Sequence, residues 1–295
     1  MGLGRINDGC AEGDIETIAK NGSVEVYYEI FGSGPATLLL IEGIGYSRWM
    51  WDGQIEELPQ QLKLVVFDNR GVGKSSSPPG PYSMNDFAED IQSIVREAGL
   101  QNLYVLGVSM GGMIAQEYYF AHRENVKGLI LSNTNYGKGS VLPSAQVLKT
   151  LSEGASAGFT FEGISERMRG AFSERFTTED KDKFDQLVRR RLAIGDDAKG
   201  YMGQLYAVAA FDSYKRLGEI GVPTLVITGD KDIVVPPENA FELHKMIPSS
   251  RLVVFKDAGH ALCIERSRDF NRRVVSFIEE VESGRFHRID SPEML

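Results

Sequence analysis

Cysteine is scarce in this 295-residue chain: there are two, Cys10 and Cys263, near opposite ends. So low a count rules out a disulfide framework and implies free thiols in a reducing compartment. Histidine is nearly as sparse. His122, His244, His260 and His287 are scattered without C-x-x-C or H-E-x-x-H support, so no metal site is expected. No apolar run approaches the roughly 18 residues that a membrane span needs. The opening MGLGRINDGCAEGD lacks the apolar core of a secretory signal, and Ile6 stands where a myristoylation signal wants Ser or Thr. Positive charge is also in deficit. A net charge of −9 disfavours non-specific binding to nucleic acid or to anionic membranes. The expectation is a cytoplasmic protein without a nucleic-acid or membrane partner.

What is present is an ordinary globular composition, with enough apolar material for a substantial core. Residues 1–14 read as a polar, Gly-rich leader. Eight strands are expected, at Ile15–Ala19, Val24–Ile30, Ala36–Ile41, Leu64–Phe67, Leu103–Leu106, Val126–Leu131, Pro223–Thr228 and Arg251–Phe255. The first two look antiparallel. Ala36–Ile41 is apolar almost throughout, as a strand buried on both faces should be. Helices are expected at Trp49–Leu62, at Asp86–Ala98 with Ser83 or Asn85 as cap, behind the Leu103 strand, at Asn239–Met246 and at Arg268–Val281. That alternation means an α/β fold, a mostly parallel eight-stranded sheet with helices on both faces. From residue 137 to 213 strands cease and the periodicity is helical, at Val147–Leu151, Ile164–Phe176, Phe184–Ile194 and Tyr201–Phe211. The expected division is a core of 15–136 and 214–282, a helical insertion of 137–213, and a loose polar tail of 283–295.

The chain is organised around LYVLGVSMGGMIAQEYYF, Leu103 to Phe120. A short buried strand turns sharply at Gly107–Val108–Ser109–Met110–Gly111 and continues as a helix, the context that a G-x-S-x-G nucleophile elbow requires. Ser109 Oγ is left pointing outward, beside the Met110 N–H and a helix N-terminus whose partial positive charge suits an oxyanion. A serine needs a base. His260, in a loop just past the last core strand, is the candidate, since loops after parallel strands gather at one sheet edge. His244 is the rival, in mid-helix; His122 should lie at the far edge. An acid must fix the base's tautomer. Asp232 in GDKDIVVP is preferred, Asp230 is the neighbouring alternative, and both are also ordinary turn residues. A second oxyanion donor is expected from Glu42–Gly43–Ile44–Gly45–Tyr46, with the Ile44 N–H paired to that of Met110. Gly71–Val72–Gly73–Lys74–Ser75 ends like a P-loop, but Asp68 stands where that motif needs glycine.

With these residues in order, the chain resembles the α/β-hydrolase superfamily over roughly residues 20–280. RGVGKSSSPPGPYSMNDFAEDI and GVSMGGMIAQE are similar to the 3-oxoadipate enol-lactonase-like carboxylesterases. The resemblance implies the α/β-hydrolase fold and hydrolysis of a small-molecule ester or lactone beneath a helical cap, without cofactor or metal. Its catalytic residues would be Ser109, Asp232 and His260, with Ile44 and Met110 as the oxyanion hole. The substrate pocket would draw on Tyr46, Trp49 and Trp51 from the core and on Met168, Phe172, Met202, Tyr206 and Phe211 from the cap, although any one of these could instead be plain core between cap and sheet. Carbon–carbon bond hydrolases and perhydrolases use the same triad, and some receptors use the same fold. Dehalogenases and epoxide hydrolases carry Asp at the elbow and are disfavoured. The family usually has His-Gly where this chain has Glu42–Gly43. Glu42 is expected either to brace the loop, with Arg70 as partner, or to charge His260. Oligomeric state is left open.

Overall fold

The computed structural model describes residues 17–153, 160–195 and 197–295. The expected leader, Cys10 and the first two residues of the expected first strand lie outside the described residues. Among those described, nine strands form one sheet: β1 (Thr17–Asn21), β2 (Val24–Phe31), β3 (Thr37–Ile41), β4 (Lys63–Phe67), β5 (Leu103–Val108), β6 (Val126–Ser132), β7 (Thr224–Gly229), β8 (Ser250–Phe255) and β9 (Glu293–Met294). Their order across the sheet is β1-β2-β4-β3-β5-β6-β7-β8-β9. β2 is antiparallel to β1 and β4, and all other pairs are parallel.

The ninth strand is additional to the eight expected. Where polar composition suggests a loose tail, Glu293 and Met294 pair with Val253 and Val254 at the edge of β8. Arg288 Nη1 also donates to Ile247 O at 2.7 Å. Backbone pairing at an open edge needs no apolar side chains, so hydrophobic periodicity carries no sign of it.

The helices are α1 (Asp52–Glu57), α2 (Met84–Glu97), α3 (Met110–Ala121), α4 (Ala145–Glu153), α5 (Phe161–Arg169), α6 (Glu174–Thr178), α7 (Lys181–Ile194), α8 (Ala198–Ala210), α9 (Glu238–Met246), α10 (Leu262–Glu265) and α11 (Ser267–Glu282). β3 shows why the strands are apolar on both sides. Leu39 and Ile41 join a core with Phe87, Ile114 and Tyr118 from α2 and α3. Leu38 and Leu40 point the other way, onto the face that holds Trp51, Phe270 and Phe277.

Two expected helices are broken. Trp49–Leu62 becomes α1 flanked by 3₁₀ turns at Arg48–Trp51 and Leu58–Gln60, the second around Pro59, which has no amide to donate. Ile164–Phe176 divides into α5 and α6, because Ser173 Oγ accepts the Phe176 N–H (3.3 Å) and starts a new helix. α2 starts with a reciprocal capping box between Ser83 and Asp86, so its cap is Ser83 and not Asn85. No helix among the described residues is long and apolar enough to cross a membrane.

Candidate active site

Ser109 lies between β5 and α3 with φ 59° and ψ −122°, a left-handed backbone that serine seldom adopts. The core imposes it. The Ser109 N–H donates to Ser132 O (3.0 Å), and Thr134 Oγ1 donates to Ser109 O (2.7 Å). Strand and helix approach so closely that a Cβ at Gly107 would lie 2.0 Å from Gly111 O, and one at Gly111 would lie 2.1 Å from Ile41 O. Met110 opens α3, so its N–H is one of those a helix leaves without an internal partner.

Asp232 and His260 meet, with Asp232 Oδ2 2.8 Å from His260 Nδ1. The Asp232 carboxylate is buried, and its Oδ1 accepts the Val234 and Val235 N–H groups at 2.9 and 2.8 Å. Asn133 Nδ2 donates to Oδ2 as well, at 2.9 Å, and reaches Gly259 O at 3.3 Å. Asn133 went unread in the sequence, although Ser132–Asn133–Thr134 is a polar cluster at the end of an apolar strand. No hydrogen bond joins Asp230 to His260 among the described residues; its side chain accepts from Lys231 Nζ at 3.3 Å. The His260 loop is clamped from behind. Glu265 accepts the Gly259 N–H with one oxygen and the Ser173 N–H (2.9 Å) with the other. The Ala261 N–H donates to Ala171 O at 2.6 Å, tying the same loop to the α5–α6 junction.

Ser109 and His260 line one cavity of about 370 Å³, with Gly43, Ile44, Tyr46 and Met168. No hydrogen bond joins Ser109 Oγ to His260 among the described residues; such bonds commonly close only when substrate is bound. Gly43 is packed against the serine, since a Cβ there would stand 3.4 Å from Ser109 Cβ. Gly43 O accepts the Tyr46 N–H (3.2 Å), which makes the segment a tight turn beside Ser109. The Tyr46 phenol is pushed up to about 12, chiefly by burial with Arg191 opposing, and stays protonated at neutral pH.

Of the expected pocket residues, Tyr46 and Met168 line the cavity; Trp49, Phe172 and Tyr206 do not. Trp49 packs behind Tyr46 with ring centroids 5.1 Å apart, in a buried cluster that includes Phe172 and Phe184. Tyr206 is exposed, because α8 buries Gly200, Gly203, Gln204 and Ala207 and turns Tyr206 outward. Trp51 and Phe211 are core and Met202 is exposed. The lining is mainly apolar, with Glu166, Arg167 and Arg191 among its polar members.

Glu42 is fully buried, and its Oε1 accepts the Asn69 N–H at 2.6 Å. It does brace the loop, but the partner is not Arg70, whose guanidinium binds Asp90 at 2.6 and 2.7 Å. Burial and the nearby Asp68 push the Glu42 carboxyl well above its ordinary range, which runs against the expected negative charge beside His260. The P-loop-like segment is folded around Asp68, whose carboxylate accepts the Lys74 and Arg48 N–H groups, both at 2.8 Å. The Lys74 amide is thus already occupied by a side chain of this protein. His244 is buried on Ser250 Oγ (2.9 Å) with its pKa lowered by burial, and His122 pairs with Glu89; neither lines the cavity. No group of three His, Cys, Asp or Glu among the described residues is arranged to hold a metal.

A family model described as the alpha/beta hydrolase fold matches residues 36–267. A candidate carbamate hydrolase, RutD, of Azorhizobium caulinodans is 27% identical over 267 residues, 90% of this chain and 98% of its own length. The 3-oxoadipate enol-lactonase 2 of Acinetobacter baylyi is 27% identical over 256 residues, 85% of this chain and 92% of its own. Among solved structures, the enol-lactonase of Burkholderia xenovorans LB400 superposes with a TM-score of 0.79 at 25% identity, covering 90% of this chain and 100% of that one.

Proposed function

This chain belongs to the α/β-hydrolase family of enzymes, and from that premise we propose that it hydrolyses small carboxyl esters or lactones through Ser109, His260 and Asp232. Ser109 Oγ attacks the carbonyl carbon while His260 Nε2 takes its proton. Asp232 holds the Nδ1–H and stabilises the imidazolium. The Ile44 and Met110 N–H groups receive the oxyanion. His260 then protonates the departing alkoxide, leaving an acyl-Ser109 ester. A water molecule that gives its proton to His260 attacks that ester, and His260 passes the proton to the departing Ser109 Oγ as the acid is released.

The observation that carries this reading is the 2.8 Å contact between His260 and a carboxylate whose other oxygen is held by two backbone amides. The remaining oxygen is shared between the Asn133 amide and the imidazole, which lines the Ser109 cavity. The segment 137–213 acts as a cap, with Met168 and Ile164 over the cavity, and limits substrates to small molecules. Ser109→Ala is expected to lower kcat on p-nitrophenyl esters and small lactones by about 10⁶-fold, as loss of the serine does in subtilisin. Turnover equal to that of the wild type in this variant rejects the mechanism.

A further inference from the structure

Resting on that reading, we infer that Gln204 is a positioning residue for the oxyanion loop, supplied by the segment between β6 and β7. Gln204 lies on the inner face of α8 and is wholly buried. Its Oε1 accepts the Gly45 N–H at 2.8 Å, and its Nε2 donates to Arg70 O at 2.9 Å. Both ends of the amide are therefore spent on backbone, one of them inside the loop that would bind the oxyanion. α8 is brought near enough by glycine. A Cβ at Gly200 would lie 2.1 Å from Gly71 O, and one at Gly203 would lie 2.5 Å from the Tyr82 ring.

The contact fixes a peptide plane. Gly45 has φ 71°, a conformation open to glycine at little cost, so this turn has little intrinsic resistance to a flip of the Ile44–Gly45 peptide. A flip would turn the Ile44 carbonyl through the space its neighbouring amide must face, setting a partial negative charge against a developing oxyanion. Gln204 opposes the flip by holding the Gly45 N–H. On the other side Glu42 accepts the Asn69 N–H, so the two loops are joined both before and after Gly43. Gln204 touches neither Ser109 nor the cavity, and its effect is on geometry alone.

The test compares Gln204→Leu, which removes both hydrogen bonds, with Gln204→Glu, which keeps an acceptor for the Gly45 N–H. Rates are normalised to active sites titrated with a fluorophosphonate, and Ser109→Ala is assayed in parallel. Gln204→Leu should lose roughly 10–100-fold in kcat with KM changed by less than about threefold, because a misaligned donor is felt mainly in the transition state. Binding of a trifluoromethyl ketone, which forms a tetrahedral adduct, should weaken in parallel. Gln204→Glu should recover most of the lost kcat. If the Leu variant does not fold, Gln204→Asn, one methylene short, should still lose at least about fivefold per titrated site. Unchanged kcat per site in the Leu or Asn variant overturns the inference, as does a Glu variant no better than Leu. A Ser109→Ala protein that still turns over overturns instead the reading on which it rests.

Discussion

The two loops that meet at the cavity are held by different parts of the molecule. The elbow is fixed from within the sheet: Ser109 is bonded to Ser132 and Thr134 on the adjoining strand end, and glycines 107 and 111 let β5, α3 and β3 interlock. The loop of residues 42–46 hangs from two side chains, one its own and one from α8. Glu42 ties it to Asn69, and Gln204 reaches Gly45 from 159 residues away in sequence. A backbone forced by packing tolerates almost no substitution. A loop held by two hydrogen-bonding side chains can be loosened by degrees, so the same fold can hold Ser109 rigid and adjust the loop facing it separately.

Gly111→Ala is the most severe way to break the elbow. Its Cβ would press on Ile41 O and Glu42 O, at 2.1 and 2.7 Å, and neither backbone oxygen can move without parting α3 from β3. The expected result is loss of soluble folded protein, read by circular dichroism, or activity at least about 10³-fold lower if it folds. A well-folded, active Gly111→Ala protein would show that the interlock is not what holds Ser109. Asn133→Ala is milder. It strips one donor from the Asp232 carboxylate and leaves the two amides on Oδ1. Loss of one hydrogen bond to a charged group, about 1.5–3 kcal/mol, predicts a roughly 10- to 100-fold fall in kcat. Asp232→Asn should fall further, by about 10⁴-fold, if Asn133 is the lesser partner. Equal losses in the two variants would make Asn133 as important as the acid itself.

What could be read from the sequence follows from the same contrast. The sheet and its α/β alternation were legible because each strand is a short apolar run with its own boundaries. The elbow, the Asp232 loop and the His260 loop were legible because each is a local pattern at a strand end. Asn133 and Gln204 act through contacts 99 and 159 residues distant, and nothing beside them in the chain marks those partners. Residue type alone also misplaced the aromatics: Tyr206 reads as pocket until the period of α8 sets Gly203, Gln204 and Ala207 inward. Glu42 was visible as a departure from the family pattern. Its partner was not, because the Asn69 amide belongs to a backbone whose path only the folded sheet fixes.

Glu42→Gln gives the smallest effect and bears most directly on the loop. Burial first, then Asp68, raise the Glu42 carboxyl above its ordinary value of 4.5, while the Asn69 N–H pulls it down by less. Below that value the group is protonated whether the chain is folded or not, and it costs nothing. As pH rises the unfolded chain ionises first, so stability drains away until the folded-state pKa is passed. Glutamine keeps an acceptor for the Asn69 N–H and does not titrate, so its advantage should be absent near pH 4.5 and grow toward pH 8. Each kcal/mol recovered corresponds to about 2–4 °C in Tm for a chain of this size. Thermal melts at the two ends of that range measure it. The same variant should leave the acidic limb of the kcat/KM profile where it is, because a carboxyl whose pKa is raised has less negative charge to lend His260. A Tm difference that stays flat with pH means that Glu42 titrates normally in the folded protein, and a moved acidic limb means that it is ionised beside the base.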